Sequence, residues 1–233
     1  MGEPDVTVVI PARNEAAYVE GALASVLAQT HPLARIEAVV VDNGSTDGTA
    51  DVVRAFAAAA PGLCLRLVQE PVAGLARAKN RGARAARGRW LVFLDADSRL
   101  SPRLVHDVVA RAHVGYRAGS IAVLADSGDW LDRGFFALME VGKRWLGVRA
   151  QMFYCERALF EWLGGFDERL RLAEDSEFLA RVKRAHLDVC HLTESWIATS
   201  PRRLHSLPLR LALATTFARW ALAHGGIGRQ RAY

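Results

Sequence analysis

The sequence predicts an α/β protein with a mainly parallel central sheet and helices on both faces of that sheet. Short, unbroken runs of β-branched and other apolar residues are typical of strands that are buried on both faces. Helical patterns separate these runs, as the crossover connections between parallel strands require. With 233 residues, 51% of them hydrophobic and 24% charged, the chain is long enough for one soluble domain with a sizeable core.

The first half of the chain alternates strand and helix patterns, and turn residues separate them. Pro11 closes the first strand pattern, Pro61-Gly62 stops the second helix and Gly88 closes the third. The predicted elements are a strand over 6–11, a helix over 15–29, a strand over 36–42, a helix over 49–59, a strand over 63–70, a helix over 74–88 and a strand over 90–95. In a sheet of this kind, ligands bind outside the carboxyl ends of the strands.

The second half has a different character. The patterns indicate a helix over 103–113, a strand over 120–125, an aromatic-rich segment over 130–147, a mixed region over 150–185 and a strand over 187–199. No Ser/Gly-rich linker or internal repeat interrupts the chain. We therefore expect one domain over 1–203, with two lobes over about 1–100 and 101–203, and a helical tail over 204–233.

The tail and the charge of the chain limit its partners. Arg210 and Arg219 break the apolar stretch of the tail, which leaves it too short to span a bilayer. A packed helix is expected there, and a helix on a membrane surface is the alternative. The net charge of +5 suits an anionic ligand but is too small to indicate nucleic-acid binding.

The cysteines and the N-terminus indicate a compartment. Cys64, Cys155 and Cys190 lie far apart without a CxxC pair, which predicts reduced thiols rather than a disulfide framework or a zinc site. The N-terminus enters a strand pattern directly and shows no signal peptide. We therefore expect a cytoplasmic protein, with a location at the inner face of the membrane as the alternative.

The segment "FLDADSRLSP" ends a buried strand with two carboxylates one residue apart, Asp95 and Asp97. In an extended or turn conformation, alternate side chains point the same way, so both carboxylates can serve one cation. A few oxygen ligands suit Mg²⁺ or Mn²⁺ that is shared with a diphosphate. The alternative is a solvated strand end, with Asp97 as the cap of the following turn.

Two further acidic segments follow the same logic. In "VVVDNGSTDGT", Asp42 ends a strand and can accept a hydrogen bond from a base N–H or a ribose hydroxyl. The alternative is that Asp42 and Asp47 only close the turn and cap the following helix. Glu174 and Asp175 precede a helix whose N-terminus stabilises the anionic form, as a general base or an ordinary cap requires. No GxGxxG or GxxxxGK[ST] pattern occurs, so neither the dinucleotide fingerprint nor the P-loop supports the site.

Basic residues are also candidates for the functional site. The pair Lys79-Asn80 lies near the start of the basic helix over 75–87 and is expected to point toward phosphate. The cluster "SPRR" over 200–203 follows the last strand pattern. It can neutralise a leaving diphosphate or contact anionic lipid, although a solvated surface is the default for such arginines.

Four segments together resemble family 2 glycosyltransferases of the GT-A fold, over roughly residues 6–200. They are "VVIPARNEAAYVEGALASVLAQ", "VVVDNGSTDGT", "GLARAKNRGARAARGRWLVFLDADSRLSP" and "GGFDERLRLAEDSEFLARVKR". The resemblance implies a nucleotide-diphospho-sugar donor such as a UDP- or GDP-sugar, an acceptor hydroxyl, a divalent Mg²⁺ or Mn²⁺ ion, and inverting transfer in one displacement. It also implies a donor-binding half over about 1–100 and an acceptor half over about 101–203.

The resemblance also implies roles for individual residues. Asp175 is similar to the family's catalytic base, with Glu174 as its neighbour. Asp95 and Asp97 resemble the DxD motif, Asp95 toward ribose or metal and Asp97 toward metal, and Thr199 or Ser200 stands where many members carry a metal-binding His. The positions implied to bind the donor are Pro11, Ala12, Arg13, Glu15, Asp42, Asp47, Lys79, Asp95, Ala96 and Asp97.

Two other functions remain open from the residues. Lys79 stands where the family usually has Arg, and the metal-binding His is missing, which would suit a nucleotide-sugar-binding protein that no longer transfers. A sugar nucleotidyltransferase would share the α/β plan and the metal. The Glu-Asp helix start and the absence of a Gly-rich Arg-Lys signature count against that second alternative.

Overall fold

A computed structural model describes residues 3–145, 152–170 and 173–205 of the chain. These residues form one mixed sheet with helices on both faces. The strands are β1 (Val6–Ala12), β2 (Ile36–Asp42), β3 (Cys64–Gln69), β4 (Trp90–Phe93), β5 (Ser98–Leu100), β6 (Ala118–Ala125), β7 (Phe153–Glu156) and β8 (Val189–Thr199). The helices are α1 (Val19–Leu27), α2 (Thr49–Ala59), α3 (Leu75–Ala85), α4 (Leu104–His113), α5 (Trp130–Trp145), α6 (Arg157–Trp162), α7 (Glu174–Arg184) and α8 (Arg202–His205), with a 3₁₀ turn at Leu33–Arg35.

The strand order is β3-β2-β1-β4-β7-β6-β8-β5. The first four strands in this order are parallel, and Ala12, Asp42 and Gln69 lie side by side at their carboxyl ends. The β4–β7, β6–β7 and β5–β8 pairs are antiparallel, and the β6–β8 pair is parallel. The α/β prediction is therefore confirmed. Its parallel character is concentrated in the first half of the chain.

Both faces of the sheet are buried, which explains the unbroken apolar runs. Val8 and Ile10 pack on one face in the same cluster as residues of α1, α2 and α4. Val9 packs on the other face with residues of α3, α6 and α7. On this second face five phenylalanines join the sheet to α6 and α7, with ring centroids 5.0–5.6 Å apart: Phe93, Phe153, Phe160, Phe166 and Phe178.

Several boundaries differ from the predicted ones. Helix α1 begins at Val19 because residues 13–18 form a loop in which Asn14 has a φ of 56°. Strand β4 ends at Phe93, and a turn follows in which the Ser98 N–H donates to the Asp95 carbonyl at 3.0 Å. Strands β5 and β7 were not predicted, because runs of three or four residues are too short to show a period.

Pro11 lies inside β1 rather than ending it, and the register shows why this is tolerated. The Val9 carbonyl accepts from Leu94 N–H on the β4 side, so position 11 faces the same side, where pairing with β4 has already stopped. Proline has no N–H to donate, and here no neighbouring strand requires one.

The tail over 204–233 lies outside the described residues from position 206 onward, so its helical character and its contact with a membrane stay predictions. Within the described ranges, none of the helices combines the length and the apolar character needed to cross a bilayer.

Close packing of α3 on the sheet depends on Gly82. A Cβ at this position would lie 2.3 Å from Val9 Cγ1 and 3.0 Å from Val41 Cγ2. We expect Gly82→Ala to lower the free energy of unfolding by about 1–3 kcal/mol, because these branched side chains are held in the core. Urea unfolding would measure the change.

The matched control is Gly134→Ala in α5, where a Cβ would meet no atom of the described residues within 4 Å. That variant is expected to be neutral or about 0.5–1 kcal/mol more stable, because alanine favours the helix. An unfolding midpoint of Gly82→Ala equal to that of the unmodified protein would contradict the close-packing account.

Candidate active site

The carboxyl ends of β1, β2 and β4 and the N-terminus of α7 contribute the predicted residues to one rim. Pro11 and Ala12 are the last residues of β1 and are buried, whereas Arg13 begins the following loop and is exposed. Asp42 ends β2. The turn after β4 carries Asp95, Ala96 and Asp97, of which Ala96 is buried as a small core residue.

Asp47 holds the loop after β1 against the turn after β2. Its carboxylate accepts from Ala16 N–H at 3.1 Å and from the Thr49 hydroxyl at 2.5 Å, and these hydrogen bonds lower the pKa of Asp47, the Thr49 bond most strongly. The Glu15 N–H donates to Thr49 Oγ1 at 2.9 Å. Asp47 therefore fixes the backbone at Ala16 directly and at Glu15 through Thr49.

Asp42 is buried and its two oxygens are held by the protein. Oδ1 accepts from Ser45 N–H at 2.9 Å and Oδ2 from the Gln69 amide at 3.1 Å. Each carboxylate oxygen can accept a second hydrogen bond. A contact of Asp42 with a base or ribose therefore remains a prediction, and the turn-closing role is visible in the Ser45 bond.

Asn43 is a residue that the sequence analysis missed. Its amide donates to the carbonyls of Glu70 and Val72, and its carbonyl accepts from Gly74 N–H, at 2.7–2.8 Å. These three bonds fix the connection from β3 to the start of α3. The "DNG" turn sequence was the only signal for this residue, and it indicated a turn rather than a bridge to a later loop.

A buried ionic cluster joins α3 to α7. The Lys79 ammonium lies 2.7 Å from Glu174 Oε1 and 2.8 Å from Asp175 Oδ1, and all three side chains are nearly inaccessible to solvent. Such a cluster is held together by the mutual neutralisation of its charges, since each ion alone would be costly to bury. Lys79 therefore lies on the predicted catalytic pair, and a phosphate contact by Lys79 would have to replace these bonds.

Charges in this cluster shift the titration of its members. Burial raises the pKa of Asp175 to about 7; Lys79 opposes this shift, and the charges of Glu174 and Asp95 add to it. Burial alone would lower the pKa of Lys79, but Asp175, Glu174 and Asp95 outweigh burial and raise it. Burial would raise the pKa of Glu174, but Lys79 lowers it. Asp95 therefore lies within electrostatic reach of the predicted base.

The N-terminus of α7 is held at this place by several contacts. The Lys79 ammonium lies 5.4 Å from the centroid of Phe166. Arg181 of α7 donates to the Leu163 and Gly165 carbonyls, and both of these bonds fix the "GG" turn before the helix. Ala173, directly before Glu174, has a φ of 63°, a conformation that costs about 1 kcal/mol for a residue with a Cβ. The surrounding structure therefore imposes the start of α7.

Asn80 does not point to an open surface either. Its amide donates to the Phe166 carbonyl at 2.9 Å and to Glu168 at 3.1 Å, and its carbonyl accepts from Phe166 N–H at 2.9 Å. The expectation that Asn80 faces phosphate is wrong in this structure, because all of its polar atoms bind the segment before α7.

A second ionic cluster contains Asp97. Arg202 of α8 donates through Nε to Asp97 Oδ2 at 3.0 Å, and its Nη2 lies 2.9 Å from the same oxygen. Nη2 also donates to Glu15 Oε1 at 2.5 Å. The guanidinium carbon lies 4.3 Å from the centroid of the Tyr18 ring. Arg202 therefore links the loop after β1 to the turn after β4, a role for which the "SPRR" cluster was the only sequence signal.

The donor chemistry of the rim fits a divalent cation. The two clusters contain four carboxylates, those of Glu15, Asp97, Glu174 and Asp175, and two cationic side chains, those of Lys79 and Arg202. Among the described residues, no hydrogen-bond partner lies on the buried Glu15 Oε2. Carboxylate oxygens are among the ligands that Mg²⁺ and Mn²⁺ prefer.

That fit has a limit. No group of three or more His, Cys, Asp or Glu residues within the described ranges is arranged to hold a metal ion. Asp97 shares its Oδ2 with Arg202, and Asp95 lies near the Lys79 cluster instead.

Comparison with known proteins places the chain among sugar-transferring enzymes. The sequence profile of Glycosyl transferase family 2 matches residues 7–146. A PGL/p-HBAD biosynthesis glycosyltransferase of Mycobacterium bovis is 34% identical over 190 residues, which are 78% of this chain and 70% of that protein. Glycosyltransferase AglE of Haloferax volcanii is 40% identical over 94 residues, but these cover 40% of this chain and 31% of AglE.

Solved structures agree on the fold. Mannosyltransferase PcManGT from Pyrobaculum calidifontis, solved with GDP-Man and Mn²⁺, is 27% identical with a TM-score of 0.70 and covers 99% of this chain and 67% of its own. S. aureus TarS 1-349, solved with UDP, is 19% identical with a TM-score of 0.67, covers 94% of this chain and 72% of its own, and supports the fold alone. The fold is that of the GT-A glycosyltransferases, and the chain belongs to glycosyl transferase family 2.

Proposed function

We propose that this glycosyltransferase moves a sugar from a nucleotide-diphospho-sugar to an acceptor hydroxyl with inversion, using Asp175 as the general base. The observation that carries the proposal is the placement of Asp175. Its carboxyl is buried at the start of α7, bound to Lys79 and within electrostatic reach of Asp95 in the turn after β4. A base with a pKa near neutrality suits proton abstraction at physiological pH.

The reaction follows from this placement. The acceptor hydroxyl passes its proton to Asp175 while its oxygen forms a bond to the anomeric carbon. The bond from that carbon to the diphosphate breaks on the opposite face, and its electron pair leaves with the nucleoside diphosphate. Lys79 keeps the carboxylate of Asp175 ionisable despite its burial, because the ammonium offsets part of the desolvation cost.

Asp95 and Asp97 are the residues that would hold a divalent Mg²⁺ or Mn²⁺ ion. Such an ion, when bound, would offset the negative charge that develops on the leaving diphosphate. The excess of carboxylates over cationic side chains in the two clusters supports this assignment, and so does the Mn²⁺ found with GDP-Man in PcManGT.

The division of the chain into a donor half over about 1–100 and an acceptor half over about 101–203 follows the same scheme. Pro11, Ala12, Arg13, Glu15 and Asp42 would then border the nucleotide. A UDP- or GDP-sugar would be the donor, and the GDP-Man found in PcManGT supports the nucleotide-sugar class. Contact of the tail with a membrane would suit a lipid-linked acceptor.

A thermal-shift panel of UDP- and GDP-sugars, with and without Mn²⁺, tests the proposal. Binding at one hundred times Kd stabilises the folded state by about 2.7 kcal/mol, so the true donor is expected to raise the melting temperature by several degrees. Release of nucleoside diphosphate from that donor would then report transfer to an acceptor or to water.

Two activity assays, together with this panel, separate the alternative functions. Donor binding without release of nucleoside diphosphate, across a range of acceptors, would indicate a binding protein that does not transfer. Release of pyrophosphate from a nucleoside triphosphate would indicate a nucleotidyltransferase. The absence of any shift with every sugar nucleotide would contradict the proposed donor class.

A further inference from the structure

Arg202 has an unusual position for a surface arginine. Its guanidinium occupies the space between Asp97 and Glu15, with about a quarter of the side chain exposed, at 28%. Both carboxylates are more buried than the arginine, at 6% for Asp97 and 14% for Glu15. Burial alone would lower the pKa of Arg202, but Glu15 and Asp97 raise it, so the side chain carries its charge at every working pH.

Backbone hydrogen bonds fix the position from which the Arg202 side chain extends. The Ser200 N–H donates to the Asp97 carbonyl at 3.0 Å, and Thr199 pairs with Ser98 across β5 and β8. The end of β8 is therefore joined directly to the turn that carries Asp97. Arg202 starts beside this turn, and its long side chain can change partners without any movement of the strand.

The two present partners of Arg202 are both carboxylates that the proposed function requires elsewhere. Asp97 is the proposed metal carboxylate, and a cation on its Oδ2 would repel the guanidinium from that atom. An arginine presents a planar fork of donors that matches phosphate oxygens. Once displaced from Asp97, the fork would remain beside the diphosphate that shares the metal.

We infer that Arg202 binds the diphosphate of the donor, and that Asp97 and Glu15 hold its guanidinium in place before the donor arrives. The inference rests on the proposed function, since it names a residue that recognises the proposed donor. Arg202 then supplies a positive charge at the leaving group from the protein itself, next to the proposed metal carboxylate.

Calorimetry of nucleotide binding to Arg202→Gln tests the inference. We expect UDP or GDP, whichever the unmodified protein binds, to bind the variant about 10–100-fold more weakly in Mn²⁺, the loss of one charge-assisted hydrogen-bonding group. The affinity for the corresponding nucleoside monophosphate, which lacks the second phosphate, is expected to fall much less. Arg202→Lys keeps the positive charge but lacks the planar fork of donors. Its affinity for the diphosphate is expected to lie between those of the unmodified protein and Arg202→Gln.

A second measurement reports on Asp97 without any nucleotide. Because Arg202 and a cation compete for the same oxygen, Mn²⁺ alone should bind Arg202→Gln more tightly than the unmodified protein, as followed by electron paramagnetic resonance. The matched control is Arg103→Gln, an exposed arginine at the start of α4 whose nearest carboxylate, Asp107, lies 3.8 Å away. The affinities of this control for the nucleoside diphosphate and for Mn²⁺ are expected to stay unchanged. Melting temperatures would verify that all variants fold.

The outcomes distinguish this inference from the proposed function. Equal diphosphate affinity in Arg202→Gln and the unmodified protein would overturn the inference and leave the proposed function standing. An equal loss for monophosphate and diphosphate would also overturn it, because the contact would then lie elsewhere on the nucleotide. Failure of the unmodified protein to bind any nucleoside diphosphate would instead remove the proposed function.

Discussion

Replacement of Asp175 with asparagine is expected to lower the turnover number by about 10²–10⁴-fold, the usual contribution of a general base. Asparagine has nearly the same shape and leaves Glu174 on the Lys79 ammonium, so the fold should persist. The donor is expected to bind with nearly unchanged affinity, because Asp175 acts on the acceptor. Release of nucleoside diphosphate from the donor chosen by thermal shift measures the turnover.

Glu174→Gln is the matched comparison, because Glu174 shares the same lysine and helix start. It is expected to retain far more activity than Asp175→Asn. Full turnover in Asp175→Asn would contradict the assignment of the base, and a severe loss restricted to Glu174→Gln would transfer that role to its neighbour.

The pH profile provides a second view of the same residue. The base must be ionised to accept a proton, and burial raises the pKa of Asp175 to about 7. We therefore expect kcat/KM of the unmodified protein to fall as the pH drops below about 7 and to level off above it. This acidic limb should be absent from the residual activity of Asp175→Asn.

Replacement of Lys79 with methionine is expected to have the largest effect on stability. It removes the cation from two buried carboxylates, and breaking a buried ion pair in this way costs about 3–5 kcal/mol. Chemical unfolding at neutral pH measures the loss. The double variant with Glu174→Gln should recover part of it, because one of the stranded charges is then removed.

The effect of Lys79→Met should depend on pH in a defined direction. Lys79 lowers the pKa of Glu174, so this pair stabilises the fold above the unfolded pKa of Glu174 and loses that effect as the pH falls through the folded pKa. The difference between variant and unmodified protein is therefore expected to shrink in acid. Lys183→Met, at an exposed position of α7, should change stability by less than about 0.5 kcal/mol. A similar small change in Lys79→Met would contradict the buried cluster.

The sequence predicts the first half of the fold well because its strands are buried on both faces. Strand β2 and helix α2 begin and end at the predicted residues, since turn residues bound both of them. Residues 15–18 of the loop over 13–18 were predicted as helix because they show no helix-breaking pattern. Hydrogen bonds to Ser45, Asp47 and Thr49 hold the loop in another conformation. Such long-range bonds leave no local signal.

In the candidate site, too, some features could be predicted from the sequence and others could not. The acidic strand ends and the start of α7 were visible as patterns, because carboxylates rarely follow buried apolar runs without a reason. The partners of these carboxylates were not visible. Lys79 meets Glu174 across 95 positions of sequence, and Arg202 meets Asp97 across 105. Only the folded sheet brings such distant residues together, and the sequence pattern had assigned Lys79 to phosphate instead.

The strand order has a consequence for how this chain folds. β4 lies in the middle of the sheet, yet its second neighbour, β7, comes from much later in the chain, beyond α5. While the protein is being synthesised, the edge of β4 stays open, and an open apolar edge invites pairing with other chains. A fragment that ends near residue 146, where the match to the family profile stops, would keep this edge exposed and would be prone to aggregate.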